Sequence, residues 1–408
     1  MEAQAAAQTF GFDPDDPSFV ADPYGAYATL REQAPVLYDP GTDHWLVSRH
    51  GDVNGLLRDR RFGRTYLHLA SHAETGHPED VPGSRSFWHL IRNGILDMEP
   101  PDHTRVRRLV SKAFTPRTVE ALRPRVQALV DGLVDGVLGA GEVDLISTVA
   151  EPLPVEVIAE LLGVPPADRH LLRPWSADIC RMYELHPTEE DVRIASQASV
   201  GFSDYLRALS RQRRSAPAGD LISELALVVD EGDRLTEDEL IGTCVLLLNA
   251  GHEATVNVTG NGWWTLFRHP AELARLVEDP SLLPTAVEEL MRFDTPLQMF
   301  ERWVLEEVEL HGVRIPRGAE LGLVFGSANR DPSAFERPDE LDLGRDPNPH
   351  LSFGAGIHFC LGAPLARVEL LTSFGTLLRR APGIELVEEP RWKPNYIIRG
   401  LEALRVRL

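Results

Sequence analysis

The chain has 408 residues, 43% hydrophobic and 25% charged, and carries a formal net charge of −21 at pH 7. The hydrophobic and charged fractions are ordinary for a globular protein, and so large an excess of negative charge argues against nucleic acid as a partner. Three cysteines, Cys180, Cys244 and Cys360, show no paired spacing and so suggest neither a disulfide framework nor a zinc site.

The first residues lack the basic and apolar regions of a secretion signal. No stretch reaches the ~18–20 apolar residues that a membrane span requires. A chain without a membrane partner, placed in the cytoplasm, is therefore expected. Its length permits two or three average domains or one large core.

Up to about residue 60 the chain mixes Pro/Asp turns with short helices and a strand around Trp45–Ser48. Residues 62–97 read as a long irregular segment containing His68, His72, His77, Pro78, Pro82 and Gly83, and loops of that length are usually functional or disordered. The three histidines have no helical or strand spacing, so metal binding by them is not expected. Pro100-Pro101-Asp102 opens a helix in which His103 and Arg107, at i and i+4, share one face. From His103 to Gln127, the cations Arg105, Arg107, Arg108, Lys112, Arg117, Arg123 and Arg125 face only Glu120. A basic island on an acidic protein is a docking candidate, and its bland alternative is a solvated helix face.

Residues 118–230 read as successive amphipathic helices broken at Gly141, Gly163–Pro166, Pro187 and Pro217–Gly219. The longest helix opens with a capping box, Thr236-Glu237-Asp238-Glu239, and stops before Pro270. At 1.5 Å per residue it spans roughly 48 Å. Its apolar character over several faces near Cys244–Leu248 makes it central and buried. Gly251 within it costs about 1 kcal/mol relative to Ala, which calls for a local opening or a close helix contact. Further on, Glu289 and Arg292 at i and i+3 can form a bidentate pair. Exposed, such a pair would contribute almost nothing.

After Pro296 the pattern turns β-rich through Arg302, Val304, Val308, Leu310, Val313 and Ile315, with turns at His311-Gly312 and Pro316-Arg317-Gly318. Asp346-Pro347-Asn348-Pro349 then makes a rigid approach to Phe353-Gly354-Ala355-Gly356-Ile357-His358-Phe359-Cys360-Leu361-Gly362. The glycines allow a tight loop around one cysteine. A thiol just ahead of a helix sits at the positive end of its dipole, which lowers its pKa and favours thiolate, the form a soft metal ligand takes. The bland alternative is a buried structural cysteine. A last helix to about Arg380 and a β-hairpin near Tyr396–Gly400 close the chain.

That ten-residue loop resembles the haem-binding loop of the cytochrome P450 family, whose haem iron is held by a cysteine thiolate. The helix before it, the long helix, the Glu-x-x-Arg pair and the β-rich stretch occur in the family's order. The resemblance implies a mainly α fold, one domain over residues 1–408 with a smaller β-rich part, binding haem b between the long helix and the Cys helix. Cys360 becomes the axial ligand within the loop from Phe353 to Gly362. His103, Arg107, Arg302 and His358 fall on positions that contact the haem propionates. Ala250-Gly251-His252-Glu253-Ala254-Thr255 matches the oxygen-binding groove, with Glu253 relaying protons. Residues from about 165 to 215 correspond to lid helices, and Leu247, Ala250, Leu297, Met299 and Ile397 are assigned to the substrate pocket.

Two departures from the family pattern stand out. Glu340 occupies a position where many members carry an Arg that joins the buried Glu289–Arg292 clamp, which leaves the third partner open. Ala254 stands where a Thr is usual, and Thr255 lies about 100° further round the helix. Ordered water or a substrate hydroxyl is then expected to complete the proton path, with Thr255 bonding a carbonyl one turn back.

The implied activity is monooxygenation of an apolar organic substrate by a monomer. Electrons would come from NAD(P)H through a ferredoxin reductase and a ferredoxin docked on the basic island. The alternatives are a peroxygenase using H2O2 and a non-catalytic haem sensor or carrier.

Overall fold

The computed structural model describes residues 6–75, 81–229 and 232–408, so His77 and Pro78 lie outside the described residues. The long helix is the axis of the fold. It runs from Glu237 to Arg268, and both halves of its capping box form: Thr236 Oγ1 accepts from Glu239 N, and the Glu239 carboxylate accepts from Thr236 N. It is buried on nearly every side because its glycines admit other chain segments. A side chain at Gly242 would come within 2.7 Å of the Asn93 carbonyl carbon, and one at Gly262 within 2.9 Å of the Phe374 ring.

Around it pack the helices Asp102–Ala113, Pro116–Val137, Pro152–Leu162, Glu189–Ser215, Leu283–Phe293 and Ala363–Arg380, which share one large hydrophobic cluster. The expected breaks hold. Gly163 caps its helix with φ +78°, and Thr188 after Pro187 opens Glu189–Ser215 with a second capping box. The segment 62–97 departs from the reading as irregular chain. It contains the helix Arg85–Arg92, which buries Phe87, Leu90 and Ile91 at i, i+3 and i+4 spacing. The periodicity is confined to eight residues that follow a Pro- and Gly-rich stretch, so it is weak in the sequence.

Among the described residues, ten short strands form the β part: β1 Val36–Asp39, β2 His44–Val47, β3 Phe62–Gly63, β4 Glu142–Asp144, β5 Met299–Val304, β6 Val308–Leu310, β7 Val313–Ile315, β8 Glu320–Val324, β9 Glu385–Leu386 and β10 Arg405–Arg407. The main sheet has the order β1-β2-β8-β5-β3, the second β4-β10-β9, and β6 with β7 makes a hairpin. His311 and Gly312 both have positive φ at that hairpin's turn, the backbone that a two-residue loop with right-handed strand twist requires. The hairpin expected near Tyr396–Gly400 is reduced to isolated bridges, Leu297 to Ile398 and Trp392 to Leu401.

In the main sheet Trp45 pairs with Leu321, while Arg302 faces Leu321 and Glu301 faces Gly322. Strand alternation therefore puts Arg302 on one face and His44, Glu301 and Glu320 on the other. Among the described residues, no helix is long and apolar enough to cross a membrane.

Candidate functional site

The cysteine loop is tight for backbone reasons. Gly354 and Gly356 have φ of +66° and +70°, and a side chain at Gly356 would lie 2.1 Å from the Leu57 carbonyl oxygen. Phe353 O accepts from Cys360 N at 3.0 Å and closes the loop. One face of Phe353 is covered by the Arg367 guanidinium, 4.5 Å from the ring centre. Arg367 in turn donates twice to Glu288, whose other neighbour is His350 Nε2 at 3.0 Å.

The Cys360 thiol is pushed up by burial, and the Gly362 and Ala363 amides and the Arg107 charge pull in the opposite direction. This corrects the expectation of a lowered pKa. The loop supplies the amides, but desolvation outweighs them in the protein alone, and a bound metal cation would reverse that balance.

Four residues from three distant elements converge here. The His103 and His358 rings lie 4.4 Å apart, and Arg107 donates to Phe359 O at 2.7 Å. Arg302 is buried, donates to Glu301 O, and stacks on Phe300 with its guanidinium carbon 4.7 Å from the ring centre. Burial, and then the Arg64 charge, push Arg302 down to about 9. Burial pushes His103 down to about 4, helped by His358 and Arg107.

Both ring nitrogens of His103 and Nε2 of His358 are buried without a hydrogen-bond partner. Glu99 lies 3.7 Å from His358 Nε2, beyond hydrogen-bond reach. Arg64 joins this cluster unforeseen, paired with Asp97 at 3.1 Å and Glu301 at 3.8 Å. Nothing in the sequence around it marks that role.

On the long helix, Leu246, Leu247, Ala250, Gly251 and Ala254 keep solvent-accessible surface in the middle of an otherwise buried element, as a stripe at i, i+4 and i+8 spacing. A side chain at Gly251 would meet Ile158 at 3.3 Å, so this glycine packs closely on Pro152–Leu162 and also keeps accessible surface on the stripe. Glu253 lies 3.7 Å from Lys393 Nζ and 4.0 Å from Nδ1 of the buried His252, which meets Ser176 Oγ at 3.3 Å. The hydroxyl bond one turn back belongs to Thr259, which donates to Thr255 O, and not to Thr255.

The five pocket residues do not stay together. Leu247 and Ala250 lie on the accessible stripe, and Leu297 is half-buried beside Ile398. Met299 and Ile397 are instead buried in the N-terminal hydrophobic cluster with Phe19, Tyr27 and Leu46. Strand alternation turns Met299 away from the face that carries Arg302.

Behind the loop, Glu289 and Arg292 are fully buried and joined twice, at 2.7 and 2.8 Å. The open third partner is Arg345, whose Nε donates to both Glu289 oxygens at 3.0 and 3.2 Å. Asn348 Nδ2 and Asp342 N also donate to Glu289. The Glu340 side chain pairs with Arg337, and its carbonyl accepts from Arg345. Arg345 is the only Arg or Lys between Arg337 and Arg367, a signal that was available in the sequence.

A cysteine in a glycine-built loop, buried cations converging beside it and an accessible stripe on a long buried helix define a haem-thiolate protein. The chain belongs to the cytochrome P450 family. The family's profile matches residues 177–381. The chain is 41% identical to cytochrome P450 107B1 of Saccharopolyspora erythraea, over 98% of this chain and 99% of that protein. It is 40% identical to 6-deoxyerythronolide B hydroxylase of the same organism, over 97% and 98%.

Among solved structures, P450BioI in complex with acyl carrier protein superposes with a TM-score of 0.89 at 38% identity, covering 96% of this chain and 99% of that one. The cytochrome P450 PksS of Bacillus subtilis gives 0.87 at 36%, covering 97% and 99%. The protein is a P450 monooxygenase with haem b as its cofactor.

Proposed function

We propose that all 408 residues form one haem-thiolate domain, in the cytoplasm, that oxidises an apolar organic substrate with electrons from a separate ferredoxin and its NAD(P)H-dependent reductase. The observation that carries the reading is the buried Arg302 guanidinium, with half-buried Arg107, and the unpartnered nitrogens of His103 and His358 beside Cys360. Buried charge is normally paired, and the two carboxylates of haem b have the sign and number this cluster needs. Haem b, when bound, supplies the iron at which one atom of O2 enters the substrate and the other is reduced to water.

In this reading Cys360 is the axial ligand, and the Gly362 and Ala363 amides hold its thiolate. His103, Arg107, Arg302 and His358 bind the propionates. Phe353 and Gly362 shape the loop, and Leu247, Ala250 and Ala254 face the substrate. Glu253 moves protons inward from the surface, where Lys393 holds it. Ala254 offers no hydroxyl, so a water or a substrate hydroxyl completes that path.

Within the island, Arg105 pairs with Glu239, Arg108 with Asp233, Arg123 with Glu120 and Arg125 with Glu160. The docking face follows exposure beside Cys360: Lys112 and Arg117 with Ile357 and Phe359.

Reconstitution tests the whole reading. Cys360→His should abolish the long-wavelength Soret band of the reduced carbon monoxide complex. A library compound that shifts the haem to high spin should stimulate NAD(P)H-dependent oxygen uptake through ferredoxin. Turnover with peroxide alone would favour the peroxygenase, and an unchanged band in the variant would sink the thiolate assignment.

A further inference from the structure

On the sheet face opposite Arg302, three side chains from three adjacent strands converge: His44 on β2, Glu320 on β8 and Glu301 on β5. Glu320 faces Trp303, and Glu301 faces Gly322, so the two acids are diagonal neighbours on one face. Their ligand atoms lie within 4.8 Å of one another. His44 Nδ1 is 2.5 Å from Thr42 O, which makes Nδ1 the proton donor and leaves the Nε2 lone pair directed at the two acids. That Nε2 is buried, with 9% of the side chain exposed, and has no hydrogen-bond partner.

The distances identify what belongs between these groups. Nε2 stands 3.7 Å from Glu320 Oε2 and 4.0 Å from Glu301 Oε1. Both exceed an N–H···O bond, which ends near ~3.2 Å. Both also fall short of the roughly 4.5 Å that a bridging water spans with two ordinary hydrogen bonds. A cation at the centre of such a triangle sits on the order of 2.5 Å from each atom, and a small side-chain adjustment brings it to the ~2.0–2.2 Å of zinc bound by imidazole and carboxylate.

Charge points the same way. Two carboxylates, Glu301 and Glu320, stand side by side on this face and leave negative charge for a cation to answer. Arg64 approaches Glu301 through the other oxygen, Oε2, and leaves Oε1 facing His44. Glu301 and Glu320, 33% and 21% exposed, give an ion a way in from solvent.

We propose that His44, Glu301 and Glu320 form a binding site for one divalent first-row transition-metal ion, with zinc as its representative, clamping β2 and β8 onto the strand that carries Arg302. One imidazole fixed through Nδ1 by a carbonyl, two carboxylates and an open side for water make a donor set suited to such an ion. The site is separate from the haem cysteine and does not depend on the reaction proposed above.

The test is zinc uptake by the haem-loaded protein after chelator treatment, measured by competition with a chromogenic chelator, for wild type, His44→Gln, Glu301→Gln and Glu320→Gln. Wild type should take up one equivalent that each variant loses or binds at least about tenfold more weakly. Zinc should also raise the thermal midpoint of the wild type alone, while the carbon monoxide spectrum stays the same in all four. Uptake equal in wild type and variants, at other histidines only, would overturn the site. So would a wild type that binds no equivalent at all, a result that needs no variant to fold.

Discussion

Two buried charge clusters flank the cysteine loop, and they differ in one respect. Around Glu289 every charge is answered: two guanidinium groups, an amide side chain and a backbone N–H converge on one carboxylate. Around Arg302 and His103, among the described residues, no carboxylate is hydrogen-bonded to the guanidinium or to the buried ring nitrogens, and Glu99 stands 3.7 Å from His358. A satisfied network stabilises the chain on its own, whereas an unsatisfied one raises the energy of the protein until a ligand supplies what is missing. The first is therefore scaffold and the second a binding site, although both consist of buried arginines near one loop.

The largest effect should come from breaking the satisfied cluster. Glu289→Ala leaves Arg292 and Arg345 buried and unpaired, at roughly 3–5 kcal/mol, a large share of the ~5–15 kcal/mol that holds a domain folded. Poorly folded, haem-free protein is expected, read from soluble yield and the urea midpoint. Arg345→Ala should follow in the same direction. Glu340→Ala, which removes an exposed pair with Arg337, should stay within about 0.5 kcal/mol. If Glu340→Ala were the damaging one of the two, the assignment of Arg345 as third partner would be wrong.

How much of this contrast the sequence discloses depends on how local each feature is. Cys360, its glycines, the Thr236–Glu239 capping box and the 32-residue helix are contiguous patterns, and local spacing reveals them. Glu289–Arg292 is local too, but Arg345 reaches it across 56 positions, where spacing carries no information and only its being the one Arg or Lys between Arg337 and Arg367 marks it. The place of Met299 and Ile397 in the N-terminal cluster is hidden for a related reason. Strand alternation says that neighbours point to opposite faces, but only the sheet pairing says which face meets the N-terminal cluster. Arg64 and the His44–Glu301–Glu320 triangle depend wholly on strand order, which the hydrophobic pattern does not specify.

A mutation in the unsatisfied cluster should act with the opposite sign. Arg302→Leu removes a buried cation that no carboxylate answers at ion-pair distance among the described residues. The haem-free chain should keep or gain stability, by up to ~1–3 kcal/mol, while haem retention falls. Urea unfolding of the haem-free protein and haem transfer to apomyoglobin read the two effects separately. Loss of stability in the haem-free variant, comparable to that of Glu289→Ala, would erase the distinction between the clusters.

The smallest effect, and the sharpest test of the distinction, is in pH. His103 is held down to about 4 from 6.5 by burial beside His358 and Arg107. Between those values the unfolded chain binds a proton that the folded chain refuses. Its contribution is therefore complete above about pH 6.5 and is lost as pH falls toward about 4. Glu288, paired with Arg367 and His350, is held down to about 2 from 4.5 despite burial, so its contribution is complete above about 4.5 and lost only below that. Each amounts to about 1–2 kcal/mol once solvent screening is allowed for.

His103 and Glu288 thus have separate acid windows, and only that of His103 should respond to haem, because propionates beside it would favour its charged form. Haem-free protein should lose stability as pH falls from about 6.5 toward about 4.5. Haem-loaded protein should lose less, and haem-free His103→Gln should show a flatter profile. Glu288→Gln should leave this window unchanged and alter only the limb below about pH 4.5. An identical slope in haem-free His103→Gln and wild type, or a slope over this window that depends on Glu288, would mean that the unpartnered histidine is not what makes the loop region sensitive to acid.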